Sequence, residues 1–88
     1  MVRQTVRIVN KAGLHTRPAA MLVKIASKFK SEFFIEKDGY SINGKSIIGV
    51  MSIGAPYDSE IILQFEGVDE EEMAEAIYTV IARGFEEL

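Results

Sequence analysis

The hydrophobic residues of this chain switch repeatedly between two periods within 88 residues, and that switching leaves few folds open. Val2, Gln4, Val6 and Ile8 alternate with Arg3, Thr5, Arg7 and Val9, the pattern of a half-buried strand over 2–9. Asn10-Lys11-Ala12-Gly13 breaks it. A helix is expected over 16–29, with Leu22, Ala26 and Phe29 at helical spacing and Val23 and Ile25 widening the stripe. Pro18 suits its first turn, where no N–H is needed. Residues 33–37 and 40–43 read as strands joined at Asp38-Gly39, a pair that tolerates the positive φ of a type I′ turn. From Ser46 to about residue 53 a short helix is expected, with Ser46 as N-cap and Gly49 weakening its interior. Residues 60–66 alternate again, with Ile61, Leu63 and Phe65 inward. The last helix begins at Asp69, where Asp69 and Glu72 have the spacing of a capping box. Glu70 and Glu71 stand at its positive end, and Met73, Ile77, Val80 and Ile81 supply its apolar face.

The order is βαββαβα, an α+β arrangement expected to form one antiparallel sheet with helices on one face. The expected organisation is a single domain over 1–88. A chain this short buries only about 60–65% of its unfolded surface and has little room for a deep cavity. That weighs against a self-sufficient enzyme. The absence of cysteine excludes disulfides, thiolate chemistry and Cys-based zinc sites, and no metal or cofactor is expected. No apolar run approaches the roughly 18 residues of a membrane span. Arg3 and Arg7 lie within a strand pattern instead of preceding an apolar stretch, so no signal peptide is read and a cytoplasmic location is expected.

Charge is unevenly placed. No Asp or Glu precedes Glu32, whereas Arg3, Arg7, Lys11, Arg17, Lys24, Lys28 and Lys30 do. A basic half implies an acidic partner surface or a phosphate. The net charge of −3 and the lack of any aromatic before Phe29 argue against nucleic acid.

The informative stretch is Gly13-Leu14-His15-Thr16-Arg17-Pro18. His15 falls at a helix start, where free backbone N–H groups and partial positive charge favour a phosphate. Neutral imidazole has a lone pair that can attack phosphorus, and Arg17 can set a planar fork against phosphoryl oxygens. A histidine in such a place is more often a polar cap or a plain surface residue. The motif alone leaves both readings open.

With Ala19 and Ala20, this stretch resembles the active-site signature of HPr, the histidine-containing phosphocarrier family of the bacterial phosphoenolpyruvate-dependent sugar phosphotransferase system. Lys45-Ser46-Ile47-Ile48-Gly49-Val50-Met51-Ser52-Ile53-Gly54 resembles that family's regulatory signature, and the likeness covers nearly the whole chain. The resemblance implies an open-faced β-sandwich, a four-stranded antiparallel sheet under three helices. It implies that His15 accepts a phosphoryl group from enzyme I through Nδ1 and passes it to sugar-specific enzyme IIA domains, with Arg17 assisting. Such a protein is a carrier without turnover of its own, and a monomer is expected. The resemblance also makes Ser46 a phosphorylation site for HPr kinase/phosphorylase. Thr16, Ala20, Lys24, Ile47, Ile48 and Met51 become partner-docking residues. Ile47 and Ile48 diverge by about 100° on a helix, so both cannot face the core.

Two regulatory alternatives follow from the same family. One is a paralogue that binds a catabolite-control transcription factor when Ser46 is phosphorylated. Such paralogues often lack the histidine, so His15 argues against it. The other serves a nitrogen-related phosphorelay, and the Lys45-Ser46-Ile47-Ile48 match favours the sugar branch over it. A small metabolite-binding regulatory domain of similar build would not need His15 and Arg17 together.

Overall fold

A computed structural model describes residues 1–87. Strands β1 (Val2–Arg7), β2 (Glu32–Lys37), β3 (Tyr40–Asn43) and β4 (Glu60–Glu66) form one sheet in the order β1-β4-β2-β3. Every neighbouring pair is antiparallel. Helices α1 (Thr16–Ala26), α2 (Ile47–Ser52) and α3 (Glu70–Ala82) accompany it, and a 3₁₀ turn, Gly84–Glu86, follows α3. This is the open-faced α+β sandwich that the sequence led one to expect.

Alternation decides which face of the sheet is covered. Val6, Phe33, Ile35, Ile61, Leu63 and Phe65 are buried, while Arg3, Thr5, Arg7 and Glu60 are exposed. Phe33 and Phe65 are register partners on β2 and β4, and their rings stack with centroids 4.9 Å apart. Leu22 and Ala26 of α1, Val50 of α2, and Met73, Ile77 and Ile81 of α3 close the core from above. On the open face, Arg7 reaches Glu60 at 2.9 Å and Arg3 reaches Gln64 at 3.0 Å, so polar pairs cover what the helices do not.

The Asp38-Gly39 turn has φ of 50° and 86°, the left-handed pair that a two-residue hairpin requires. Several boundaries differ from the sequence reading, among them the second strand, which begins at Glu32 instead of 33. The first strand ends at Arg7, although Ile8 and Asp58 continue the bonding as a backbone pair at 2.7 Å. The first helix ends at Ala26, not at 29: Lys28 and Phe29 bond back three residues instead of four, which tightens and closes the last turn. The second helix covers Ile47–Ser52.

The capping box expected at Asp69 and Glu72 does not form. Asp69 makes no side-chain cap. Its carboxylate instead accepts from the Lys30 and Ser31 amides, both at 2.9 Å, and from the Ser31 hydroxyl. The Asp69 amide, which a capping box would pair with Glu72, donates to the Ser31 hydroxyl, and Glu70 accepts from the Gly67 amide at 3.0 Å. A carboxylate whose two oxygens are both turned toward donors on another loop is directed away from its own helix start.

Candidate functional site

Gly13, Leu14 and His15 connect β1 to α1, and the path between them is tightly determined. The Gly13 amide bonds Asn10 O at 3.0 Å, and the Leu14 amide bonds Ala55 O at 2.8 Å. Gly13 adopts φ +74°, and a Cβ there would lie 2.8 Å from Ala55 O. Only glycine meets both conditions without strain. Leu14 is buried, which turns the next side chain, His15, outward.

His15 is the N-cap of α1, with its carbonyl accepting from the Ala19 amide at 3.0 Å. The amides of Thr16 and Arg17 have no acceptor among the described residues, and Pro18 has no N–H to satisfy. Two donors and the positive end of an 11-residue helix therefore open beside the ring. No acidic residue occupies that first turn. Arg17 is exposed and donates no side-chain hydrogen bond among the described residues, so its guanidinium is free to meet an anion.

The sequence reading missed the residue that faces the imidazole. Glu87 places its carboxylate oxygens 3.0 and 3.2 Å from His15 Nε2. Hydrogen bonds from Asn10 and then from His15, helped by the charge of Arg17, hold the Glu87 carboxyl below its ordinary value of 4.5. An ionised carboxylate only accepts, so Nε2 is the ring nitrogen that donates, and in the neutral ring Nδ1 is the one left with its lone pair. No residue among those described bonds Nδ1. Lys11, Ala12, His15 and Glu87 line an open cleft of about 460 Å³.

Glu87 reaches the site because the turn before it, Gly84–Glu86, is pinned. Phe85 is fully buried although its φ of 55° is left-handed, and Glu86 has φ 61°. That conformation costs an L-residue about 1–2 kcal/mol. Burying a phenylalanine returns about 1.5–3 kcal/mol. No local pattern in the sequence announces this turn.

The second motif has a different character. Ser46 caps α2, its Oγ accepting from the Gly49 amide at 3.1 Å. Lys45 donates to Phe29 O at 2.8 Å and ties α2 to the end of α1. Val50 alone of α2 is fully buried, whereas Ile48 is 83% exposed and Ile47 and Met51 are also exposed. On α1, Thr16, Ala20 and Lys24 are exposed, and the two helices pack against each other. Three exposed apolar side chains on a six-residue helix form a patch the core does not need. Among the described residues no cluster of His, Asp or Glu could hold a metal, and no helix is long and apolar enough to cross a membrane.

The pattern described as the PTS HPr component phosphorylation site matches residues 2–83. The phosphocarrier protein HPr of Treponema pallidum is 45% identical over 87 residues, which cover 99% of each chain. The HPr-like protein Crh of Halalkalibacterium halodurans is 47% identical over 83 residues, covering 94% of this chain and 99% of that one. Among solved structures, the HPr-C-His crystal structure from Thermoanaerobacter tengcongensis superposes with a TM-score of 0.96 at 45% identity, covering 100% of this chain and 99% of that one. An unpaired Nδ1 at a helix start, on this fold and with these relatives, leads to one assignment: the chain belongs to the HPr family of phosphotransferase-system phosphocarriers.

Proposed function

We propose that this chain carries a phosphoryl group on His15 Nδ1, taking it from phosphorylated enzyme I and giving it to enzyme IIA domains of sugar permeases. The observation that carries the reading is the division of labour on one ring. Glu87 engages Nε2, and Nδ1 is unpaired beside a helix start with two free amides. Thr16 and Arg17 supply those amides, and the Arg17 side chain is free to add a fork of donors. The site is shallow and open. Its openness leaves the exclusion of water to whichever partner docks on it, so each partner completes the site in turn. That suits a carrier that is not an enzyme by itself.

Ser46 is the proposed regulatory site. A phosphate on it would replace a neutral cap with a doubly charged one at the positive end of α2, beside Ile47, Ile48 and Met51. With Ala20 and Lys24 these residues form the proposed docking face for enzyme I and the enzyme IIA domains. The likeness to Crh supports a second reading, in which the Ser46-phosphorylated chain also binds a catabolite-control transcription factor.

The test is incubation with enzyme I and phosphoenolpyruvate followed by intact mass. Wild type gains one phosphoryl group, acid-labile and base-stable, and His15→Ala gains none. A His15→Ala chain that still takes up an enzyme I-dependent phosphoryl group would end the proposal.

A further inference from the structure

Asn10 is fully buried in the loop that follows β1, where an apolar residue would pack at lower cost. Its Nδ2 donates to Gly13 O at 2.8 Å and to Glu87 Oε1 at 3.0 Å. Both partners are pure acceptors, so the amide can face them only through its nitrogen. Its oxygen is then left buried with no partner among the described residues. A buried acceptor without a partner is destabilising. The arrangement makes sense if what matters is the carboxylate that Asn10 holds. Glu87 is in turn the group at hydrogen-bond distance from His15 Nε2, with the Glu87 side chain 15% exposed and the imidazole 41%. Lys11 from the loop and Arg17 from α1 are the other charged groups at this ring.

Building on the carrier reading above, we infer that Asn10 and Glu87 form a positioning relay that keeps the hydrogen on His15 Nε2 before and after phosphorylation, so that the phosphoryl group always departs from a cationic ring. When the ring is loaded, the Nδ1 lone pair forms the bond to phosphorus. The donor's own bond to phosphorus breaks, and its electron pair returns to the donor. Nε2 keeps its hydrogen, so the ring gains one positive charge, which the Glu87 carboxylate faces. On delivery a lone pair of the acceptor forms the new bond to phosphorus, the N–P pair returns to Nδ1, and the ring is again neutral with Nε2–H. No proton moves in either direction. A phosphorylated ring that lost the Nε2 hydrogen would have to leave as imidazolate, a far poorer leaving group. Glu87 opposes that loss by charge and by hydrogen bonding. Asn10 keeps Glu87 in reach. Neither residue touches the phosphoryl group.

The full-length, ¹⁵N-labelled chain would be loaded on His15 with phosphoramidate, a small-molecule phosphoryl donor that needs no partner protein. Two quantities are then followed against pH: the Nε2 nitrogen shift and the rate of phosphate release. In wild type the protonated ring persists to higher pH than in Glu87→Ala, with Glu87→Gln between them. Phosphate release at alkaline pH falls about two- to fivefold in Glu87→Ala, the size of a screened, half-exposed ion pair, and the difference shrinks in high salt. Asn10→Ala moves both profiles in the same direction; should that variant fold poorly, the two Glu87 variants still decide the matter. Superimposable wild-type and Glu87→Ala profiles, with both chains folded, would overturn the relay. Failure of enzyme I to load wild type would instead overturn the carrier reading and leave the Nε2 titration as it stands.

Discussion

Asp69 holds Ser31 at both ends: it accepts from the Ser31 amide at 2.9 Å and from the Ser31 hydroxyl, which in turn accepts from the Asp69 amide at 3.2 Å. The Lys30 amide adds a further donor at 2.9 Å. This clip ties the loop before β2 to the start of α3. The bond from the Ser31 hydroxyl, and then the backbone donors, pull the Asp69 carboxyl from 3.8 to about 2.

The first prediction follows from that depression. A carboxyl that is more acidic folded than unfolded adds stability above its unfolded value and loses it on the way down to its folded value. The contribution is therefore complete at neutral pH, declines below 3.8 and is gone below about 2. Asp69→Asn should lower the urea midpoint at pH 7 and flatten its fall between pH 4 and pH 2, ranges bracketing the two values. Parallel wild-type and Asn curves across that acid range would show that the clip does not drive acid unfolding.

Phe65→Ala should be the most damaging single truncation in the sheet. It removes one of two stacked rings at the centre of the core and leaves a cavity on β4, one of the two strands paired on both sides. Such truncations cost about 3–5 kcal/mol. Domains of this kind have about 5–15 kcal/mol in all. Urea unfolding at pH 7 measures it. A loss below about 1 kcal/mol, the range of an ordinary exposed substitution, would mean that the stack is not central to stability.

Arg17→Ala should separate chemistry from folding. The side chain makes no hydrogen bond among the described residues, so its removal should change stability by less than about 0.5 kcal/mol. Phosphoryl transfer from enzyme I should slow by at least about tenfold, the loss of about one charge-assisted hydrogen bond. Single-turnover transfer rates beside thermal melts give the comparison. Unchanged transfer with a lowered melt would make Arg17 structural.

Ser46→Ala and Ser46→Asp should part ways. The alanine loses the Oγ that caps Gly49 and costs about 1 kcal/mol. The aspartate keeps an acceptor, and its charge at the helix start is favourable by about 0.3–1 kcal/mol. Folding should therefore survive the charge, but enzyme I binding should not, because a partner covering Ile47, Ile48 and Met51 must desolvate a carboxylate. The loss should appear mainly as slower association and should shrink as salt rises. Equal affinities of wild type and Ser46→Asp at low salt would refute the electrostatic switch.

Local chemistry made much of this protein legible from its sequence. Alternation marked the strands, Asp38-Gly39 announced the hairpin, and Ser46 at the start of a short helical stretch announced the cap. Each depends on residues within a turn of one another, where dihedral preference and side-chain spacing decide the outcome. The position of His15 at a helix start belongs to the same class. What the tertiary structure alone decided is what surrounds that histidine. Glu87 lies 72 residues further along the chain, and Asn10 meets it because a left-handed turn at Phe85 buries an aromatic ring and brings Glu87 back to the segment between β1 and α1. The same holds for Asp69, whose capping spacing was overridden by loop donors 38 and 39 residues away. A carboxylate takes the best donors that packing brings to it, and which donors those are is settled only when the core has closed.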